Sequence, residues 1–174
     1  MSTPVEAGGA AASSQPVLDL EHQCREQIRA HVNARFGDAG LVQLVAGALE
    51  AAGYQTEIDQ RRPTVILARD SRGPRRPRLF VRVAPSTTAV KIPDLQALND
   101  DLKNTKGADQ GLLVAWGGID RLAEDEIRHQ FFRFRVWDSD ALLDELFRCY
   151  DELGEELRAR LPLKRVWSLA DEPA

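Results

Sequence analysis

Residues 79–84 read Leu-Phe-Val-Arg-Val-Ala (LFVRVA), an apolar, β-branched run interrupted by one charge. That composition predicts a strand, and its surroundings decide what kind of sheet it joins. Upstream lies a second run of the same kind, residues 64–68 (TVILA). The connection between them, residues 69–78, holds Gly73, Pro74 and Pro77, so it reads as a hairpin too proline-rich to pair internally. A shorter strand is predicted at residues 54–58. Downstream the pattern changes. Pro93 opens a helix to about residue 104, with Leu95, Leu98 and Leu102 on one side. Residues 111–116 (GLLVAW) read as a buried strand ended by Gly117 and Gly118. A charged helix over residues 120–131 follows, with Leu122 and Ile127 expected to face inward. In the strand over residues 132–137, Phe132, Phe134 and Val136 alternate with Arg133 and Arg135.

Helices flank this region. One is predicted over residues 18–36, where Leu20, Cys24, Ile28 and Val32 recur every four residues. Gly37 closes it, and Asp38 is placed to cap the next helix, residues 39–52. That helix carries Leu41, Val42, Leu44, Val45 and Leu49, apolar over a wide arc, and is expected to be buried on more than one side. Ser139 is placed to cap a last helix containing Leu142, Leu143, Leu146, Phe147 and Tyr150. Gly154 interrupts it, and a short amphipathic piece follows. The order is α-α-β-β-β-α-β-α-β-α. Hairpin-connected strands followed by β-α crossovers imply an α/β fold with a mixed central sheet flanked by helices.

With 174 residues the chain suits one domain. Residues 1–17, rich in Ala, Gly, Ser and Pro, are expected to form a flexible tail, with the domain over 18–167 and a short tail over 168–174. No apolar run approaches the roughly 20 residues of a membrane helix, and no basic-then-apolar leader opens the chain, so a cytoplasmic location without membrane contact is expected. Cys24 and Cys149 are too far apart for a zinc pattern and too few for a disulfide scaffold.

The formal charge of −4 argues against a nucleic-acid binder until it is divided along the chain. Residues 61–91 hold nine bases and one acid, Asp70, for a net +8; the rest holds 14 bases and 26 acids, for −12. Acids gather late, with Asp138, Asp140, Asp144, Glu145, Asp151, Glu152, Glu155 and Glu156 against Arg148 alone, as the wet face of the last helix. Arg69, Arg72, Arg75, Arg76 and Arg78 are therefore the candidate phosphate contacts.

Other chemistries lack support. Gly117-Gly118 has no following Lys-Ser/Thr, so there is no phosphate loop. His22, His31 and His129 stand alone, in solvated or capping positions, and Ser13, Ser14 and Ser71 have no nearby base. Trp116, Trp137 and Trp167 read as core or rim residues rather than base-stacking platforms.

Several words of sequence, in order and spacing, carry a resemblance: Leu49 to Tyr54 (LEAAGY), Leu79 to Ala84 (LFVRVA), Gly107 to Val114 (GADQGLLV), Val136 to Asp138 (VWD) and Pro162 to Trp167 (PLKRVW). Over about residues 41–167 the chain resembles the Mrr-type restriction endonuclease-like domains of the P-D...(D/E)-x-K nuclease superfamily. The resemblance implies a divalent metal, usually Mg2+. It would be held by an Asp on the second strand and a Glu or Gln on the third, with a Lys two residues on, and an acid on the preceding helix often completes the site. This sequence departs at each position. The second strand offers Thr64 or Val65, the third Arg82 and then Ala84, and the helix Gln43. Valine, threonine and alanine do not coordinate Mg2+ usefully, and Arg82 repels a dication.

Three readings follow. The first is a catalytically inactive nuclease-fold module, without cofactor, that binds DNA and/or assembles with other subunits or with itself, in prokaryotic DNA defence or DNA metabolism. The second is an active Mg2+-dependent endonuclease with a migrated site drawn from Glu57, Asp59 and Asp70, with Lys91 as the lysine. The third is a protein-interaction subunit, the arginine loop docking an acidic surface and the acidic last helix a basic one.

Overall fold

A computed structural model describes residues 15–73, 76–129 and 134–166. The elements are α1 (Gln15–Arg35), α2 (Gly37–Ala51), β1 (Tyr54–Ile58), β2 (Val65–Asp70), β3 (Leu79–Ala84), α3 (Ile92–Asn104), β4 (Gln110–Ala115), α4 (Arg121–His129), β5 (Phe134–Asp138) and α5 (Ser139–Cys149). A 3-10 turn at Tyr150–Glu152 leads into the short α6 (Glu155–Arg160). The strands form one sheet in chain order, β1 to β5. The pairs β1–β2 and β2–β3 are antiparallel, as hairpins allow, and β3–β4 and β4–β5 are parallel, each crossing over through a helix. The mixed α/β architecture expected from the pattern is the one observed.

Strand alternation sorts the core into two clusters. On one face Ile66, Val81, Val83, Leu112 and Val114 meet α2 and α5, where Leu44, Val45, Leu142, Leu143 and Leu146 are fully buried. On the other, Val65, Phe80, Leu113, Ala115 and Phe134 pack with Leu98 of α3. None of the described helices is long and apolar enough to cross a membrane.

Several local expectations change. Helix α1 begins at Gln15, so residues 15–17 are helical; residues 1–14, Phe131 to Arg133, Trp167 and the tail over 168–174 lie outside the described residues. Its four-residue stripe fades toward the N-terminus: Val32 is buried and Ile28 half-buried, while Cys24 is exposed and Leu20 is 54% exposed. Ion pairs hold this half instead. Arg25 reaches Asp144 at 2.6 Å and Asp140 at 3.5 Å, Arg29 reaches Asp140, and the Arg25 guanidinium lies 5.5 Å from the Phe147 ring. Part of the acidic face of α5 is thus already met by a basic face of the same chain. Such partly exposed pairs contribute about 0.2–1 kcal/mol each, far less than a buried leucine, so they position α1 more than they stabilise it.

The caps differ too. Phe36, not Asp38, precedes α2 and makes no side-chain cap bond. Asp138, not Ser139, caps α5, its carboxylate accepting from the Ala141 amide at 2.8 Å. In α4 Ile127 turns inward as expected, but Leu122 is 66% exposed and Ala123 is buried in its place. Ala123 and Ile127 are four apart and share a stripe, which leaves Leu122 about 100° away.

The carboxyl ends of β3 and β4 are locked by a close backbone approach. A Cβ at Gly117 would stand 2.4 Å from the carbonyl carbon of Thr87 and 2.6 Å from the carbonyl oxygen of Ser86. Both obstacles are main chain and cannot rotate away. Gly117→Ala is expected to destabilise the protein by roughly 1–3 kcal/mol, lowering the urea midpoint without changing the slope.

Candidate functional site

The register settles which residue of β2 faces the third strand. Val65 opens β2 and is the Cα partner of Arg82, whereas Thr64 precedes the strand and its carbonyl accepts from Val83 N. Alternation then puts Val65, Arg82 and Ala84 on the α3 face of the sheet, beside Phe80. Gln43 is not with them. It lies on α2, which covers the opposite face, and its Oε1 accepts from Arg160 Nη1 at 3.2 Å.

Arg82 cannot point into an apolar layer without a partner, and α3 supplies one. Its Nη1 donates to Asp101 Oδ2 at 3.1 Å, and Asp101 Oδ1 accepts from Arg62 Nη1 at 3.2 Å. Arg62 continues to Asp59, with Nη2 3.0 Å from Oδ2, and lies over the Phe80 ring at 5.5 Å. Cation and anion alternate along this chain of four. The amides of Arg61 and then the guanidinium of Arg62 hold the Asp59 carboxyl below the usual carboxylate range. Sequence reasoning missed Arg62 and Asp101 as partners of Arg82. One signal was present: Asp101 stands three residues beyond the inward Leu98 on the same helix, so it shares that side.

Magnesium requires several oxygen ligands with little competing positive charge. Here the positions expected to ligate it are Val65, Arg82 and Ala84, and Asp59 and Asp101 are each paired to guanidinium groups. The residues do not fit the metal. The candidates for a migrated site do not converge either. Asp70 ends β2, about 17 Å along the strand from Val65 at 3.3 Å per residue, and accepts from the Arg72 amide. Glu57 is exposed on the outer strand β1, and Lys91 precedes α3, its amide donating to Asp94. Among the described residues no three His, Cys, Asp or Glu side chains gather as a metal site.

The hairpin arginines fall into two groups. Arg76 donates to the Ala52 carbonyl at 2.7 Å and lies 5.6 Å from the Tyr54 ring, so it fastens the hairpin to the α2–β1 turn. Arg78 contacts Asp109, whose carboxyl the Arg78 amide and side chain hold below its ordinary range. The side chains of Arg69 and Arg72 are exposed and have no partner among the described residues. Arg75 and Pro74 lie outside them. This basic hairpin sits at the end of β2–β3 away from Val65.

The remaining candidates from sequence have structural roles. His31 and His129 contact the carbonyls of Arg160 and Asp125, and His22 is exposed. Trp116 is buried, its Nε1 donating to Asn33 at 2.6 Å, and Trp137 packs against the core. Cys149 is buried, which pushes its thiol up, away from the reactive thiolate.

Residues 34–146 match the family model Mrr_cat, described as restriction endonuclease. The chain belongs to this restriction endonuclease family. Among solved structures it is similar to the DNA modification-dependent restriction endonuclease AspBHI, at 14% identity and a TM-score of 0.56, over 90% of this chain and 43% of that one. The MspJI restriction endonuclease in complex with a 27-mer oligonucleotide is more distant, with 11% identity and a TM-score of 0.43 over 94% of this chain and 40% of that one. The chain thus spans about two fifths of each of these proteins. Comparison with curated protein sequences finds no match. Within the Mrr_cat family the sheet carrying Val65, Arg82 and Ala84 is the fold expected from the sequence, and AspBHI shares that fold.

Two outcomes are expected of this site. Adding about 10 mM MgCl2 should leave Tm where an equal ionic strength of NaCl leaves it, because only a ligand that binds the folded state raises Tm. The depressed carboxyl of Asp59 contributes stability that is complete above the unfolded value near 3.9 and fades as pH falls through the lower folded value. Asp59→Asn should therefore lose stability at neutral pH and flatten the acid side of a urea-midpoint profile.

Proposed function

We propose that this chain is a catalytically silent nuclease-fold module that binds DNA and assembles with partner subunits or with its own copies, in DNA defence or DNA metabolism. One observation carries the first part: Val65, Arg82 and Ala84 occupy one face of paired β2 and β3, and Arg82 is committed to Asp101. A guanidinium supplies positive charge but no vacant coordination position, so it can neither hold nor acidify a water molecule as a metal does. Without that water, hydrolysis of a phosphodiester has no nucleophile at this face.

DNA binding is supported by the family and by the +8 charge of residues 61–91, whose unpaired Arg69 and Arg72 side chains project from the hairpin. Contacts of this kind grip phosphate and carry no base information. Assembly is supported by the opposite charges of residues 61–91, at +8, and of the acids over residues 138–156.

Plasmid DNA incubated with Mg2+ or Mn2+ should remain uncut, and reproducible cleavage abolished by Asp59→Ala or Asp70→Ala would reinstate a migrated site. Duplex binding measured across a salt series should weaken steeply, with log K falling about 0.9 per phosphate neutralised. Arg69→Ala and Arg72→Ala should each reduce that slope by about one contact. A flat salt response would remove the DNA reading.

A further inference from the structure

Where β2 ends, β3 begins and α3 descends into β4, a cavity of about 200 Å3 is lined by Arg69, Arg78, Lys106, Thr105 and Gly107 over a floor that includes Leu67 and Ala108. We infer that this cavity is a phosphate-binding site that takes the phosphate group alone and leaves sugar and base outside. The inference rests on the DNA-binding reading for the source of the phosphate, but not for the existence of the site.

Charge makes the first argument. Three cations line the cavity and no acid does. Arg69 comes from β2, Arg78 immediately precedes β3 and Lys106 belongs to the α3–β4 turn, so residues up to 37 positions apart converge. Neither the Arg69 nor the Lys106 side chain has a hydrogen-bond or ion-pair partner among the described residues. The carboxyl end of α3 points toward this region and opposes an anion with about half a charge. Thr105, through both its amide and its hydroxyl, already occupies the Asp101 carbonyl at 3.0 and 2.7 Å, which blunts that opposition. Arg78 is partly balanced by Asp109, and the uncompensated charges of Arg69 and Lys106 outweigh the remainder.

Preorganisation makes the second. The Arg78 main chain is clamped to Asp109 in both directions: Arg78 N donates to Asp109 Oδ2 at 2.9 Å, and Asp109 N donates to the Arg78 carbonyl at 2.9 Å. Its side chain uses only Nε toward Asp109, at 3.4 Å, leaving both Nη groups for another acceptor. The guanidinium lies against Gly107, where a Cβ would come within 2.8 Å of Nη1. Gly107 has φ +91, a conformation that L side chains rarely adopt. Glycine thus allows both the turn and the arginine above it. A guanidinium fork held in place binds phosphate with little further loss of freedom.

Size makes the third. A water molecule takes about 30 Å3, so the cavity holds a phosphate with some hydration, whereas pockets for whole small ligands run from about 300 to 1,000 Å3. The phosphate comes either from the interior of a nucleic-acid strand or from its 5′ end.

The test uses the full chain. Inorganic phosphate is titrated against chloride at matched ionic strength, followed by NMR of the Arg69, Arg78 and Lys106 signals. Duplexes with and without a 5′ phosphate are then compared by fluorescence anisotropy. Arg69→Ala and Lys106→Ala, both at exposed positions, should each weaken phosphate binding about tenfold, the loss of one charge-assisted contact. Lys103→Ala removes the same charge from the neighbouring end of α3, outside the cavity, and should change binding less than about twofold. If Lys106→Ala weakens both duplexes alike, the site takes internal phosphates; if it weakens only the phosphorylated duplex, the site takes the strand end. Phosphate binding in the cavity without duplex binding keeps the site and removes the DNA reading. Duplex binding untouched by Lys106→Ala and Arg69→Ala, silence of the three signals toward phosphate, or equal loss in Lys103→Ala overturns the site.

Discussion

Helix α2 must be covered on nearly every side, and the rest of the molecule is arranged to cover it. Leu44, Val45 and Ala48 are fully buried and Leu41, Val42 and Leu49 nearly so, which leaves Gln43 and Glu50 as its exposed side chains beyond the first turn. A helix apolar over that arc is stable only between layers. The sheet supplies one through Ile66, Val81, Val83 and Val114, and α5 another through Leu142, Leu143 and Leu146. Even α6 reaches in: a Cβ at Gly47 would stand 2.2 Å from Leu157 Cδ1, so the helix surface is shaped to seat that leucine. Burial at about 25 cal/mol per Å2 dominates here, and the ion pairs of Arg25 and Arg29 with α5 only trim the position of α1.

Once Val81 and Val83 are committed to α2, the pleat sends Arg82 to the other face. That single consequence shapes the region where the family would hold a metal. A cation placed there by the backbone needs acids, and Asp101 and Asp59 serve it and Arg62 together. The carboxylates nearest the expected metal position are therefore spent on balancing arginine.

Much of the fold was legible from local pattern. The strands over residues 54–58 and 79–84 have the bounds the sequence predicts, and the order of elements agrees through α5, which ends at Cys149 before a 3-10 turn that takes up Tyr150. Local pattern failed where two residues competed for one role. Asp138 and Ser139 are both cap formers, and only the turn out of β5 selects Asp138. Leu122 and Ala123 both open α4, and the stripe shared by Ala123 with Ile127, not hydrophobicity, decides which is buried. For the candidate site, identity was legible and company was not. The want of carboxylates at Val65, Arg82 and Ala84 could be read directly, but the separation of 39 positions from Arg62 to Asp101 hides their ion pair from any local rule. Likewise the arginine-rich hairpin announced positive charge without revealing that Arg76 and Arg78 serve the chain's own structure.

By itself, then, the sequence determined the class of fold, the alternation that puts Arg82 and Ala84 on one face, and the family to which the chain belongs. These follow from periodicity and residue chemistry, which act over a few positions. Only the tertiary structure decided that Val65 rather than Thr64 opposes Arg82, that Asp101 neutralises it, and that Lys106 meets Arg69 and Arg78 around one cavity. Strand register and the landing point of a crossover helix are set by how whole faces pack, and no short stretch of chain contains that information.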